Sequence, residues 1–302
     1  MATGRLVAVS DPVPLAPLQP LLYEDLVRAA LREDLGRAGD LTSDAIIPDG
    51  WPAKARLIAR QEGRIAGLDV FAAAFRLLDP RLESTLRHRD GQDAAAGAVL
   101  GEVHGPARSM LSAERVALNF LGRMSGIATA ARDMAAAAAP YGARVVCTRK
   151  TTPLLRALEK YAVRAGGARN HRFGLDDAIL IKDNHRHVAG GVTPAVERAR
   201  AHAGHLVRIE VEVETLAQVE EALDVGVDTL LLDNMDLDTM RRAVALAKGR
   251  ALTEASGGIR PERVAEVAAT GVDLISAGWL THSVPVLDVA LDIVTDDAHN
   301  WV

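Results

Sequence analysis

The chain has 302 residues, 49% of them hydrophobic and only 3% aromatic, with a formal net charge of −5. That length holds one large domain or two smaller ones, with a core built from Ala, Val, Leu and Ile rather than from rings. A mildly acidic balance argues against a nucleic-acid surface, which makes a domain basic as a whole. Cys147 is the single cysteine, so no internal disulfide forms and nothing points to an oxidising compartment.

The first apolar run, Leu6 to Val9, is too short for a signal-peptide core, and no stretch approaches the ~18 apolar residues of a membrane span. The expectation is a soluble, cytoplasmic protein. Pro12, Pro14, Pro17 and Pro20 make residues 1–20 an expected extended arm. A helix is expected from Leu21 to Leu35, with Leu22, Leu26 and Ala29 on its apolar face and Gly36 as its stop. Residues 53–104 read as strand-rich, with one helix around Val70 to Leu78. A further helix, from about Ser109 to Leu121, places Arg115 and Asn119 on one face.

From Ala143 short apolar strands alternate with amphipathic helices. The expected strands are Arg144–Thr148, Ala178–Lys182, Leu206–Val213, Thr229–Asp233, Ala251–Ala255 and Leu274–Ala277. There is an internal echo: Gly226-Val227-Asp228 before LLLDN, and Gly271-Val272-Asp273 before LISAG. Regular βα alternation predicts parallel strands covered by helices, and roughly six or seven units predict a closed or nearly closed barrel. No GxGxxG follows a strand, which weakens a dinucleotide-binding reading.

In a βα barrel the chemistry collects at the C-terminal strand ends. Those ends here are mostly charged. Arg149 and Lys150 follow the first strand and suit carboxylate or phosphate oxygens, unless they form an ordinary surface turn. His171 and Arg172 sit in a glycine-rich segment that could bring backbone close to a ligand, or could be a loop with incidental charge. Lys182 ends AILIK and is expected half-buried, as a fixed cation, a Schiff-base nucleophile or a snorkelling side chain. In IEVEVE the side chains of Glu210, Glu212 and Glu214 share one face, which in a barrel is the interior. Buried carboxylates need partners, so Glu212 and Asp233 become candidates for ribose hydroxyls or Mg²⁺. Ser256, Gly257, Gly258 and Gly278 lie in the last two strand–helix loops, where barrels often hold phosphate on backbone N–H groups. CxxC, HExxH and a serine nucleophile elbow are all lacking.

Several segments in order and spacing closely resemble the quinolinate phosphoribosyltransferase family, the carboxylating nicotinate-nucleotide pyrophosphorylases. They are EDLGRAGDLTSDAIIP, SAERVALNFLGRMSGIAT, TRKTTPLLRALEKYAVRAGG, NHRFGLDDAILIKDNH, IEVEVE, LLLDN, EASGGI and SAGWLTHSVPVLD. Ala168 departs from a pattern that often has a third glycine there. The resemblance implies an N-terminal α/β sandwich domain (21–125), an incomplete, about seven-stranded α/β barrel (126–284), and a tail (285–302) returning to the first domain. It also implies a homodimer in which Arg115 reaches into the partner's site. The implied reaction is quinolinate plus phosphoribosyl pyrophosphate giving nicotinate mononucleotide, pyrophosphate and CO₂, with Mg²⁺ and no organic cofactor.

The residues are consistent with that chemistry. A substrate with adjacent carboxylates needs several cations, here Arg149, Arg172 and Arg115 with help from His171. Lys150 and Lys182 are assigned to the departing pyrophosphate, and Glu212 and Asp233 to the charge developing on the ribose. Three rivals stand beside this reading: a Schiff-base lyase using Lys182, a non-catalytic phosphate- or dicarboxylate-binding barrel, and a phosphoribosyltransferase-like homologue with an altered substrate, of the type associated with molybdate transport.

Overall fold

The structure is a computed structural model and describes residues 15–294. Most of the expected N-terminal arm, residues 1–14, lies outside the described residues, as does the end of the tail from 295 onward. The early elements are α1 (Glu24–Leu35), α2 (Leu41–Ile46), β1 (Pro52–Ala59), β2 (Gly63–Arg64), α3 (Leu68–Leu78), β3 (Glu83–Leu86), β4 (Asp93–Ala94), β5 (Val99–Pro106) and α4 (Ala107–Ala138). There follow β6 (Arg144–Val146), α5 (Arg156–Ala165), β7 (Ile179–Ile181), α6 (Asp183–Ala189), α7 (Val192–His202), β8 (Ile209–Val213) and α8 (Leu216–Val225). The chain continues with β9 (Thr229–Asp233), α9 (Leu237–Ala247), β10 (Leu252–Ser256), α10 (Val264–Ala268), β11 (Leu274–Ser276), α11 (Trp279–His282) and β12 (Val289–Ile293). Two compact units result: one of Leu15–Ala130, Pro153–Gly167 and the chain from Val284, the other of Ala131–Thr152 and Ala168–Ser283.

The first unit is organised on an antiparallel sheet of order β12-β1-β5-β3. On β1 the side chains of Ala55, Leu57 and Ala59 are fully buried, as strand alternation requires. Arg56, on the other face, stands opposite Glu102 of β5, and Lys54 reaches the same carboxylate at 3.1 Å. The helix α3 buries Phe71 and Phe75, whose rings meet edge-on at 5.0 Å. Its first N–H groups, of Gly67 and Leu68, donate to the Asp90 carboxylate at 2.9 and 3.1 Å. The Tyr161 hydroxyl donates to the same group at 2.8 Å, so one acid ties α3 to α5.

Two helices differ from the sequence reading. In α1 the buried face is Tyr23, Val27 and Leu31, not Leu22, Leu26 and Ala29, because Pro20–Leu22 form a 3₁₀ turn that resets the phase and leaves Leu22 exposed. Gly36 does end it, at φ 56°, its N–H donating to the Arg32 carbonyl. α4 runs on past Leu121 to Ala138. Gly122 and Gly126 are not breakers there. A Cβ on Gly122 would lie 2.9 Å from the Leu287 carbonyl oxygen, and one on Gly126 would overlap that of Pro285. These glycines let the returning tail lie directly on the helix backbone. Among the described residues no helix, α4 included, is long and apolar enough to cross a membrane.

In the second unit six parallel strands follow the order β6-β11-β10-β9-β8-β7. Beyond β6 the seventh position is a single parallel bridge, Val146 to Arg169, with Cys147 N–H donating to the Arg169 carbonyl at 3.0 Å and Arg169 N–H to that of Val145 at 2.9 Å. The barrel is therefore incomplete. The Gly-Val-Asp echo has a shared physical basis. Gly226 and Gly271 end their helices at φ 79° and 89°, and Val227 and Val272 are buried. Asp228 then accepts the Ile209 N–H at 2.9 Å, and Asp273 the Thr253 N–H at 2.8 Å, each pinning the start of its strand to the preceding one.

Replacing Gly126 by Ala sets about 1 kcal/mol of helix propensity gained against an overlap with backbone that costs about 1–3 kcal/mol. The overlap wins because a carbonyl in the tail cannot rotate away as a side chain can. Gly126→Ala is expected to lower the stability measured by denaturant unfolding, despite improving the helix sequence.

Candidate functional site

Side chains from β7 through β11 and from the segment after β6 converge on one cavity of about 470 Å³. Its floor includes Leu180, Leu231, Glu254 and Ser276; its rim is charged. Arg149, Lys150, His171, Arg172 and Lys182 line it, facing Glu212 and Asp233, with Ser256, Gly257 and Gly258 completing the wall. Parallel pairing explains the gathering, because Ser256 stands beside Asp233 and both end their strands at one level.

Arg172 is held by its guanidinium donating to the Ala178 carbonyl at 2.9 Å. Burial, and then the charge of Arg149, pushes its pKa below the ordinary arginine value; Glu210 and Asp177 oppose this. The His171 ring is constrained on both sides. Nδ1 accepts the Arg172 backbone N–H at 2.7 Å, so the ring proton sits on Nε2, 3.0 Å from Glu210 and 3.5 Å from Glu254. The ligand atoms of these three residues lie within 4.8 Å of one another, close enough for a metal ion. With Nδ1 serving as acceptor, the Nε2 lone pair a metal would use carries the proton instead.

Lys182 is exposed rather than half-buried. It caps α6 at the rim, its N–H donating to His185 Nδ1 at 2.9 Å. This is not the desolvating pocket that turns a lysine into a Schiff-base nucleophile. Lys150 is exposed too, its carbonyl accepting the Thr281 hydroxyl at 2.7 Å. Gly278 is not part of the wall. A Cβ there would stand 2.9 Å from Lys150 Cδ, so the missing side chain makes room for the Lys150 stem. Arg115 does not line this cavity either. It is exposed on α4 and lines another, of about 370 Å³, with Asn119, Glu33 and Asp34.

The acidic side has its own supports. Burial pushes the Glu212 carboxyl above its ordinary value and the Asp233 charge adds to this; the Asp183 N–H, at 3.3 Å, and Lys182 pull it back only in part. Oxygen donors of this kind suit a hard cation such as Mg²⁺. Asn234, at φ 53°, donates its amide to Asp233 at 2.6 Å. Gly257, at φ 104°, has no room for a Cβ beside that amide. Asn234 and Glu254 were not singled out from the sequence. Asn234 follows an acid at a strand end, a position from which its amide can brace that acid. Glu254 sits inside a parallel strand, where an acid reaches only the interior.

These features define an α/β barrel protein with a cavity at its strand ends, cationic on one side and acidic on the other. Comparison with known proteins agrees. The model of the quinolinate phosphoribosyl transferase C-terminal domain matches residues 127–292, and that of the N-terminal domain residues 40–125. The chain belongs to this family. A probable nicotinate-nucleotide pyrophosphorylase (carboxylating) of Bacillus subtilis (strain 168) is 47% identical over 273 residues, covering 90% of this chain and 94% of the relative. Its counterpart in Synechocystis sp. (strain ATCC 27184 / PCC 6803 / Kazusa) is 42% identical, covering 95% and 98%. The crystal structure of NadC from Streptococcus pyogenes superposes with a TM-score of 0.89 at 41% identity, covering 93% of this chain and all of that one.

Burial and the nearby Glu210 charge push Glu254 up to about 8. A carboxyl raised above its unfolded value of 4.5 holds its proton in the folded state after the unfolded chain has lost it. Its contribution to stability is therefore full below about pH 4.5 and is lost as pH rises towards about 8. Glu254→Gln, neutral throughout, is expected to flatten that decline in chemical unfolding curves compared at about pH 5 and about pH 8.

Proposed function

We propose that this chain transfers the phosphoribosyl group of phosphoribosyl pyrophosphate to the ring nitrogen of quinolinate and releases the C2 carboxylate as CO₂, giving nicotinate mononucleotide for NAD biosynthesis. The observation that carries this is the convergence of Arg149, Arg172, Lys150 and Lys182 on one cavity opposite Glu212 and Asp233. Nicotinate, with one carboxylate, would not call for so many cations. Hydrogen bonds to charged groups contribute about 1.5–3 kcal/mol each, so a few offset the desolvation of a dianion.

In this reading Arg149 and Arg172 hold the carboxylates, with His171 beside them. Lys150 and Lys182 neutralise the pyrophosphate, and the Ser256–Gly258 turn offers backbone to phosphate oxygens. The ring nitrogen donates its lone pair to the ribose carbon while the bond to pyrophosphate breaks and its electrons leave on oxygen. Positive charge grows on the sugar, next to Glu212 and Asp233. The product nitrogen is cationic, so the C2–carboxylate bond can break towards the ring, releasing CO₂, and solvent protonates C2. Glu212 and Asp233 would hold Mg²⁺, which would supply charge neutralisation for the pyrophosphate.

Residues 21–125 would form an N-terminal domain and 126–284 the catalytic barrel, in a cytoplasmic homodimer where Arg115 serves the partner subunit's site. The rival with an altered substrate has no observation in its favour; the Schiff-base rival needs Lys182 desolvated, and it is exposed.

The direct test is purified protein with quinolinate, phosphoribosyl pyrophosphate and Mg²⁺, following nicotinate mononucleotide and CO₂, with nicotinate in parallel. Product from quinolinate alone is expected, and no product from folded protein overturns the reading. Arg149→Lys is expected to weaken quinolinate binding by more than about tenfold in calorimetry, because an ammonium cannot replace a planar fork. For the shared site, mixing Arg115→Ala chains with Lys182→Ala chains should recover activity, since one hybrid site is then intact. Confirmed mixed dimers without recovery would remove Arg115 from that role.

A further inference from the structure

Glu210 has no place in the chemistry above, yet it is one of the most enclosed acids in the barrel, its side chain 12% exposed. It lies on β8 against the His171 ring, close enough to Arg172 for its charge to be felt there. Its Oε2 stands 3.0 Å from His171 Nε2. The other ring nitrogen, Nδ1, accepts the backbone N–H of Arg172 at 2.7 Å. An imidazole can accept at Nδ1 only while Nδ1 is unprotonated, so this geometry requires the Nε2–H tautomer. An acceptor at Nε2 is what selects it. Glu254, on β10, has an oxygen 3.5 Å from the same nitrogen but makes no hydrogen bond to it, which leaves Glu210 as the acceptor.

We propose that Glu210 is a positioning residue for the substrate carboxylates: by accepting the His171 Nε2 proton it leaves Nδ1 to take the Arg172 N–H, which fixes the Arg172 peptide and aims its guanidinium into the cavity. His171 thus acts through Arg172, as a strut between the barrel floor and the cationic wall. Without an acceptor at Nε2 the ring is free to move its proton to Nδ1. It would then face the Arg172 N–H donor to donor, and the peptide carrying Arg172 would have to turn. Glu210 also lies near enough to Arg172 to favour its charged form against the repulsion of Arg149. The carboxylate therefore supports both the direction and the charge of the group that would grip the dianion. This inference rests on the reading of the cavity as a quinolinate site.

The test uses the full chain, with its nine histidines labelled with ¹⁵N. His171 is assigned by difference from His171→Gln. Two-bond N–H correlation spectra at about pH 7.5 are expected to show His171 as the Nε2–H tautomer. Glu210→Met, of similar length but without an acceptor, should lose that signature and weaken quinolinate binding about tenfold or more, with phosphoribosyl pyrophosphate affinity held within about twofold. Glu210→Gln, whose amide oxygen can accept the same proton, should restore the tautomer and bring quinolinate affinity back to within about threefold of the unaltered chain.

An Nδ1–H or doubly protonated His171 in the unaltered chain overturns the proposal, and that spectrum does not depend on any variant folding. Unchanged quinolinate affinity in Glu210→Met overturns it too, as does an equal loss in the Gln and Met variants. Absence of quinolinate binding by the unaltered chain would instead sink the functional reading, while the spectrum still reports the strut.

Discussion

Two arginines in one half-buried cavity repel each other, and the architecture of the site is the means by which the chain tolerates them. Arg149 and Arg172 come from different segments, and the charge of one lowers the pKa of the other. Left alone, they would splay towards water. Here Arg172 is anchored by the Ala178 carbonyl and by the His171 ring, which in turn rests on Glu210. One compensating acid, Asp177, lies in the same segment as Arg172. The others come from the floor below and the opposite wall, on β8, β9 and β10.

That placement depends on parallel strands. In an antiparallel sheet with one wet face, IEVEVE would put its carboxylates into solvent. With helices packed outside, Ile209, Val211 and Val213 are buried against them and the glutamates turn inward. Depth along the strand then sorts the acids by role. Glu210 lies deep, against His171; Glu212 opens on the cavity; Glu214 lies at the exposed end, 3.7 Å from Arg186. The Gly-Val-Asp repeats hold this depth scale in register, because Asp228 and Asp273 bond the backbone at the starts of β8 and β10.

Periodicity made the strands and their order of chemistry legible before any coordinates. Each expected strand is present: Thr229–Asp233 with the same bounds, Leu252–Ser256 one residue further along than expected, and the other four shorter by one to three residues. Local pattern failed where a distant segment decides. α4 continues through Gly122 and Gly126 because the tail lies on them, which no window of α4 reveals. The α1 phase is set by a proline turn before the helix. Lys182 follows four apolar residues, but the strand ends just short of it at the rim, so it emerges into the open. Gly278 reads as a phosphate loop yet is spent on clearance for Lys150. Glu254 takes its significance only from the three-dimensional neighbourhood of His171 and Glu210.

The electrostatic shifts in the site run in opposite senses on its two sides, and this bears on how it works. Burial raises Glu212 and lowers Arg172, so each wall holds charge that its own surroundings do not satisfy. The walls do not cancel each other, because the cavity keeps them apart. In the proposed reaction a dianion against Arg172 would relieve the cationic side, and a sugar carbon gaining positive charge would relieve Glu212. The second relief grows only as the bond to the leaving group breaks. Interactions that strengthen along the reaction coordinate are those that accelerate it. In the proposed reaction the unrelieved charge on the acidic wall would thus be the more consequential of the two: the cations would govern how well substrate is held, and Glu212 with Asp233 how much of that holding is converted into rate.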